Sequence, residues 1–529
     1  VERSSEFYIP FECFININNK SHLIGLSEIK NSVKSAKLDE KISGIYLEIG
    51  NLDTGWAKLE EIRDILMDFK ISGKFIISYS EFYTQKAYYI ASLSDEIILH
   101  PDGMFIFNGF SKTVIFYRSF FKGVGIKPVI FRIGKYKSAT EPFLYNFMSK
   151  FSKLQDSLLL FSFYNHFINE ISDNRSIDIN YLKNISKSLL ISTAEDAYKF
   201  KFVTKIGYFD EVKLILMNNF SVDHLVEYIS LNDYSNYIKF RNFNLSKNKV
   251  VILIAEGDII DGKSSSYSVG SRDFVNVIKK IREDDSIKAL VLRINSPGGS
   301  SIASENIWRS LMLTKNRKPV IASMSDIAAS GGYYLAMACD YIIAYPTTIT
   351  GSIGIFWIWM DYSDFLQNKL GIMFDVVKTG ISSDLFTNPG RSINFYEKKV
   401  IKKIVKNSYN KFLEKVSLQR KLSMNSILRV SEGRVWSGIL AKKYGLVDKL
   451  GNLDDAIEIA ASSAFLGKDY KVEYWTTKKT FFQLFFSNLN SYFFNSFFNE
   501  KFFYFLNIFR EYVFLNGIQY RLLYDISID

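Results

Sequence analysis

The sequence predicts an α/β protein made by tandem duplication of a βαβ domain, with a Phe-rich segment at its C-terminal end. Three observations carry this expectation. The first is a repeat. Tyr79-Ser-Glu-Phe-Tyr-Thr-Gln85-Lys-Ala-Tyr-Tyr-Ile-Ala-Ser-Leu-Ser-Asp95-Glu-Ile-Ile-Leu-His-Pro101 lines up, without a gap, on Met324-Ser-Asp-Ile-Ala-Ala-Ser330-Gly-Gly-Tyr-Tyr-Leu-Ala-Met-Ala-Cys-Asp340-Tyr-Ile-Ile-Ala-Tyr-Pro346, 245 residues further on. The second is alternation of strand-length apolar runs with stretches of helical spacing, the pattern of βαβ units around a mainly parallel sheet. The third is length: 529 residues exceed what one hydrophobic core holds and suit two or three domains.

Taken in order, a first copy spans about 1–230 and contains Ile45-Tyr-Leu-Glu-Ile49, the counterpart of Leu290-Val-Leu-Arg-Ile294. A polar stretch, 231–249, reads as a linker. The second copy, 250–479, opens with Val250-Val-Ile-Leu-Ile-Ala255, a buried strand closed by the turn signal Glu256-Gly-Asp258. Helical spacing covers Phe274 to Glu283, and Lys288 to Asn295 is the next strand, broken by Ser296-Pro-Gly-Gly299. A helix is expected over Ile302 to Leu313, a strand over Pro319 to Met324, and a further helix at Gly331-Gly332. The copies end alike, Ala197 to Gly207 matching Ala441 to Gly451 at an offset of 244, so one net residue separates them. The segment 480–529 carries Phe481, Phe482, Phe485, Phe486, Phe493, Phe494, Phe497 and Phe498. Such a stripe either docks on its own protein, the commoner case, or lies on a membrane.

Composition narrows the function. A hydrophobic share of 47% with 23% charged residues belongs to a folded chain. The net charge of +11 is dispersed rather than gathered in a basic block, so nucleic acid is not an expected partner. Two cysteines, Cys13 and Cys339, allow at most one bridge; Cys339 reads as a small buried hydrophobe. No apolar run reaches the roughly 18 to 20 residues that span a bilayer. The chain begins at Val1 without an initiator methionine, as a processed or shortened chain does. Neither a zinc signature nor a Gly-Lys-Ser/Thr phosphate loop occurs, so no metal and no cofactor are expected.

The chemistry concentrates where the copies differ. Ser330 stands over Gln85, and Lys137 over Ser382, so each copy keeps one half of a nucleophile and base. Ser330 follows a strand and precedes two glycines and a helix, a turn that exposes a hydroxyl and leaves helix-start amides free for developing negative charge. Gly331 supplies one such amide, and a second donor is expected within Ser296-Pro-Gly298-Gly299. A serine needs a base. The histidines His22, His100, His166 and His224 sit in no catalytic motif. Lysine is the alternative, provided burial lowers its pKa from about 10.4 towards 7 or 8. Lys135 and Lys137 both qualify, since on a strand both point to the same side. Ser352, in Thr350-Gly-Ser-Ile-Gly354, is placed to orient the amine or serves only as a turn serine.

Ile294 to Gly299, Ala328 to Tyr334, Thr350 to Gly354 and Tyr136-Lys-Ser-Ala-Thr-Glu-Pro-Phe143 resemble the motifs of the long, duplicated signal peptide peptidases, the protease IV family, over roughly residues 40 to 465. The resemblance implies a Clp/crotonase-like fold, with Ser330 as nucleophile and Lys137, rather than Lys135, as general base. It also implies an oxyanion hole from Gly299 and Gly331, with Ser352 assisting the lysine. Further implications are a membrane-tethered homotetramer on the periplasmic side of a bacterial inner membrane, and leftover signal peptides as substrates. The chain departs from that pattern in showing no N-terminal anchor. Two other classes stay open on the sequence: a crotonase-like acyl-CoA enzyme, and a non-catalytic membrane scaffold.

Overall fold

The computed structural model describes residues 25–212, 214, 228–239, 244, 246–265, 267–477 and 519–521. Cys13, His22, His224 and the Phe-rich stretch lie outside these residues.

In the first repeat, strands β1 (Gly44–Glu48), β2 (Phe75–Tyr83), β3 (Glu96–Phe105), β4 (Lys127–Ile133) and β5 (Lys205–Ile206) alternate with helices. Four of them form a parallel sheet in the order β1-β2-β3-β5. The second repeat supplies β6 (Lys249–Glu256), β7 (Asp258–Ile260), β8 (Ser268–Gly270), β9 (Ile287–Ser296), β10 (Gly298–Ser300), β11 (Val320–Ala329), β12 (Tyr341–Ala344), β13 (Ile349–Gly351), β14 (Ile355–Asp361), β15 (Val435–Ser437), β16 (Lys449–Leu450) and β17 (Lys471–Trp475). A last strand, β18 (Gln519–Arg521), comes from the C-terminal segment. The order β9-β11-β12-β16 repeats β1-β2-β3-β5, so the duplication is a duplication of topology. One difference follows from β3, which continues through Pro101 where the second copy divides into β12 and β13 around Pro346.

β6 shows why the sheet is buried on both faces. Its residues alternate, Val251, Leu253 and Ala255 into one core and Val250, Ile252 and Ile254 into the other, all 5% exposed or less. The first core is filled by Phe274, Ile278 and Ile281 of the helix Ser271–Glu283 and by Ile307 and Leu311 of Ser301–Lys315. The second is filled by Leu453, Ala456, Ile457 and Ala460 of the helix Leu453–Ser463. Covered faces explain the unbroken apolar runs seen in the sequence.

The stretch expected as a linker contains a helix, Leu231–Lys239, whose Tyr234 and Ile238 are buried. Tyr234 donates to Asp39 Oδ2 at 3.0 Å, and Lys239 pairs with Glu28 at 2.9 Å, so the stretch is packed onto the first repeat.

The repeats share structure. β4 pairs antiparallel with β14 from Ile133↔Ile355 to Lys127↔Asp361. The Asp326 carboxylate receives the Lys58 amide at 3.1 Å, at the start of the helix Trp56–Lys70, and a Cβ on Gly55 would lie 2.1 Å from its Cγ. Deeper still, Arg293 of β9 donates to Glu61 Oε2 at 2.5 Å, with 1% and 2% of the two side chains exposed. Removing one member of such a pair leaves a buried charge with less compensation. Arg293→Met is therefore expected to cost about 3–5 kcal/mol, measured as a lowered urea midpoint.

Among the described residues, no helix is long and apolar enough to cross a membrane. Cys339 is free and buried, and burial pushes its thiol well above the usual range, which suits an inert core residue.

Candidate active site

β11 ends at Ala329, and Ser330 makes the turn into the helix Gly331–Ala336 with φ of 56° and ψ of −109°. A positive φ in a non-glycine residue is strained by about 1–3 kcal/mol and persists only where its surroundings hold it. Here the Ser330 amide donates to Gly351 O at 2.8 Å, and Ser330 O accepts from the Tyr334 amide at 2.9 Å. Gly332 permits the close fit, because a Cβ there would stand 2.5 Å from Ser296 O. That contact sets the start of the helix beside Ser296-Pro-Gly-Gly299. Gly299 itself is required by space: its Cβ would meet Ile259 O at 2.0 Å.

Lys137 arrives from the other repeat. β4 stops at Ile133, so the expectation that Lys135 and Lys137 share one strand face is corrected. The chain turns at Gly134, whose Cβ would strike Glu432 O at 2.2 Å, and enters a short turn of helix at Ser138–Thr140. Lys135 is left exposed, while Lys137 is 1% exposed. The Lys137 Nζ lies 2.8 Å from Ser330 Oγ, 2.9 Å from Ser352 Oγ and 3.3 Å from Ser352 O. Burial lowers its pKa to about 7. Phe356 packs nearby, its ring centroid 5.9 Å from Nζ.

Ser352 is also held at positive φ, 51°, with its amide donating to Arg434 O at 2.7 Å. Its hydroxyl donates to Gly433 O at 3.4 Å. Gly433 was not singled out in the sequence, where only its place in Ser431-Glu-Gly-Arg434 marks a turn. In the folded chain it also bounds the lysine. Its φ is 78°, and a Cβ there would lie 2.5 Å from Lys137 Cβ and 2.8 Å from Lys137 N. Gly433→Ala is expected to displace the amine and lower any turnover that depends on it about 100-fold. The same change should cost about 1–3 kcal/mol of stability, and steady-state kinetics beside thermal melts would separate the two effects.

The equivalent position in the first repeat is closed. Gln85 donates through Nε2 to Gly109 O and accepts the Gly109 amide at Oε1, both at 2.9 Å, and Gly109 is the counterpart of Gly354. Ser382, the counterpart of Lys137, lies exposed. The described histidines stand elsewhere: His166 pairs with buried Glu60 at 2.8 Å, and His100 packs edge-on against Tyr208 at 5.2 Å.

Duplicated parallel α/β sheets with a serine hydroxyl at a strand-to-helix turn, against a buried amine, have the architecture of a serine peptidase. The family described as Peptidase family S49 matches residues 68–223 and 312–466, one stretch in each repeat. The "Serine protease SPPA, chloroplastic" of Arabidopsis thaliana is 32% identical over 457 residues, covering 85% of this chain and 67% of its own. "Protease 4" of Haemophilus influenzae is 32% identical over 474 residues, covering 86% and 76%. A protein of Enterococcus faecium whose name carries "signal peptide peptidase SppA" is 33% identical over 234 residues, 43% of this chain and 67% of its own. The chain belongs to peptidase family S49 and is a serine peptidase.

Proposed function

We propose that this peptidase is a Ser330/Lys137 endopeptidase that degrades cleaved signal peptides and similar apolar peptides at a bacterial membrane. The observation that carries the reading is the 2.8 Å contact between the Ser330 hydroxyl and an amine whose pKa is brought down to about 7 by burial. A neutral lysine has two N–H donors and one lone pair. Ser352 Oγ and Ser352 O accept the donors, which leaves the lone pair for the Ser330 proton. Ser352 thus aims the base, its own hydroxyl turned towards Gly433 O.

Ser330 attacks a peptide carbonyl as Lys137 takes its proton. The amides of Gly299 and Gly331 receive the oxyanion, each such donor being worth about 100- to 1000-fold in turnover. Lys137 returns the proton to the leaving amine, and water then releases the acyl group with Lys137 again as base. None of these steps requires a metal or cofactor.

The membrane and oligomer parts of the reading are a tethered homotetramer facing the periplasmic side of the inner membrane. The oligomer part draws support from apolar side chains exposed on the loop after β14. There Met373, Val377, Ile381 and Phe386 are each more than 70% exposed, a surface suited to contact between copies. The test is labelling with a serine-directed fluorophosphonate followed by peptide mapping, with an apolar signal-peptide-like substrate assayed in parallel. One adduct on Ser330 and loss of cleavage are expected; cleavage undiminished by full labelling, or an adduct elsewhere, would reject the assignment.

A further inference from the structure

β18 fills a gap one strand wide. It pairs antiparallel with β10, Gly298 facing Arg521, Gly299 facing Tyr520 and Ser300 facing Gln519, while Gln519 also faces Phe356 of β14. Without β18, the sheet ordered β4-β14-β18-β10-β7-β8 divides into two edges that face each other across the width of an extended chain. The segment therefore marks where an extended peptide fits, next to Gly299.

The row through Gly298 continues into β7, which runs parallel to β10 with Ile259 beside Gly299. Asp258 therefore lies level with Gly298, on the strand beyond it. Gly298 has no side chain to occupy that level, and the Arg521 guanidinium crosses it to the Asp258 carboxylate, Nη2 to Oδ2, at 2.7 Å. Arg521 is 16% and Asp258 31% exposed, so the pair is partly withdrawn from solvent. Two strand spacings amount to about 10 Å, a span that a long side chain and a short one bridge together.

We propose that Asp258 is a specificity-determining residue: when a peptide takes the place of β18, Asp258 reads a basic side chain on the residue facing Gly298, one position C-terminal to the residue facing Gly299. This rests on the Ser330 peptidase reading. A charge-assisted pair across an open glycine distinguishes Arg from Gln by charge and reach, and Arg from Glu by sign as well.

The test is a positional scan of a single Arg through an apolar fluorogenic peptide, beside Gln and Glu scans, with the wild-type chain, Asp258→Asn and Asp258→Lys. In the wild type, one position is expected to favour Arg over Glu by about tenfold in kcat/KM. That preference should vanish in Asp258→Asn, which is nearly isosteric, and reverse in Asp258→Lys. A profile unchanged across the three chains, or no position favouring Arg in the wild type, overturns the inference. Fluorescence anisotropy of the same peptides on Ser330→Ala chains, with and without Asp258→Asn, reads the preference without turnover. Cleavage that survives Ser330→Ala would instead strike the peptidase reading, while the binding profile still decides the role of Asp258.

Discussion

Ser330→Ala is expected to lower peptide cleavage by about 10⁴-fold or more while leaving a cooperative melting transition, because on the proposed mechanism the substitution deletes the attacking atom and little else. The serine is fully buried, and its backbone bonds to Gly351 and Tyr334 do not involve the hydroxyl. Ser330→Ala should therefore keep the turn, the helix Gly331–Ala336 and the amides of Gly299 and Gly331 proposed to receive the oxyanion. What changes locally is that Lys137 loses one of its hydrogen-bond partners and keeps the two atoms of Ser352. Residual turnover from the oxyanion amides and binding alone is the floor of the effect. The comparison is made on chains matched by circular dichroism and by sedimentation. Activity within tenfold of the wild type would move the nucleophile to another residue.

The repeat made most of this site legible from the sequence. An offset that holds from Tyr79 to Pro101 fixed which residues correspond, and the exchange of Ser330 for Gln85 and of Lys137 for Ser382 pointed to two halves of one catalytic pair. Local pattern could not choose between Lys135 and Lys137, because the choice is made by Gly134, which ends β4 and turns the chain against Glu432. Gly433 was hidden for a related reason. Its role is steric contact with a lysine almost 300 positions earlier, and no periodicity records that. Gln85 was legible as a loss but not as a plug, since its bonds to Gly109 arise only from the folded turn. The pairing of β18 with β10 was equally invisible: Gln519-Tyr-Arg521 belongs to neither copy of the repeat, and the two edges of the gap, far away in sequence, supply its partners. Strand runs buried on both faces were read from apolar continuity, whereas the helix at Leu231–Lys239 was missed because its polar face dominates the composition.

Cleavage should rise with pH through a midpoint near 7 and then level off, and Lys137→Met should abolish both the activity and a second signature, a gain in stability at higher pH. Only the neutral amine can take the Ser330 proton, so the acidic limb of kcat/KM follows its deprotonation. Burial lowers the folded-state pKa to about 7, whereas the unfolded chain titrates near 10.4. Between these values the unfolded chain binds a proton that the folded chain has released, so the contribution of Lys137 to stability improves as pH rises from about 7 to about 10. At pH 7 the cost of holding the amine uncharged is on the order of 4 kcal/mol, partly offset by its bonds to Ser330 and Ser352. Lys137→Met replaces it with an apolar side chain of similar length, so the variant should melt higher at pH 7 and lose that part of the alkaline gain. Peptidase loss together with raised stability separates a catalytic lysine from a structural one, whose removal would lower both. An activity midpoint near 10, or a Lys137→Met chain that keeps the wild-type acidic limb, would show that another group is the base.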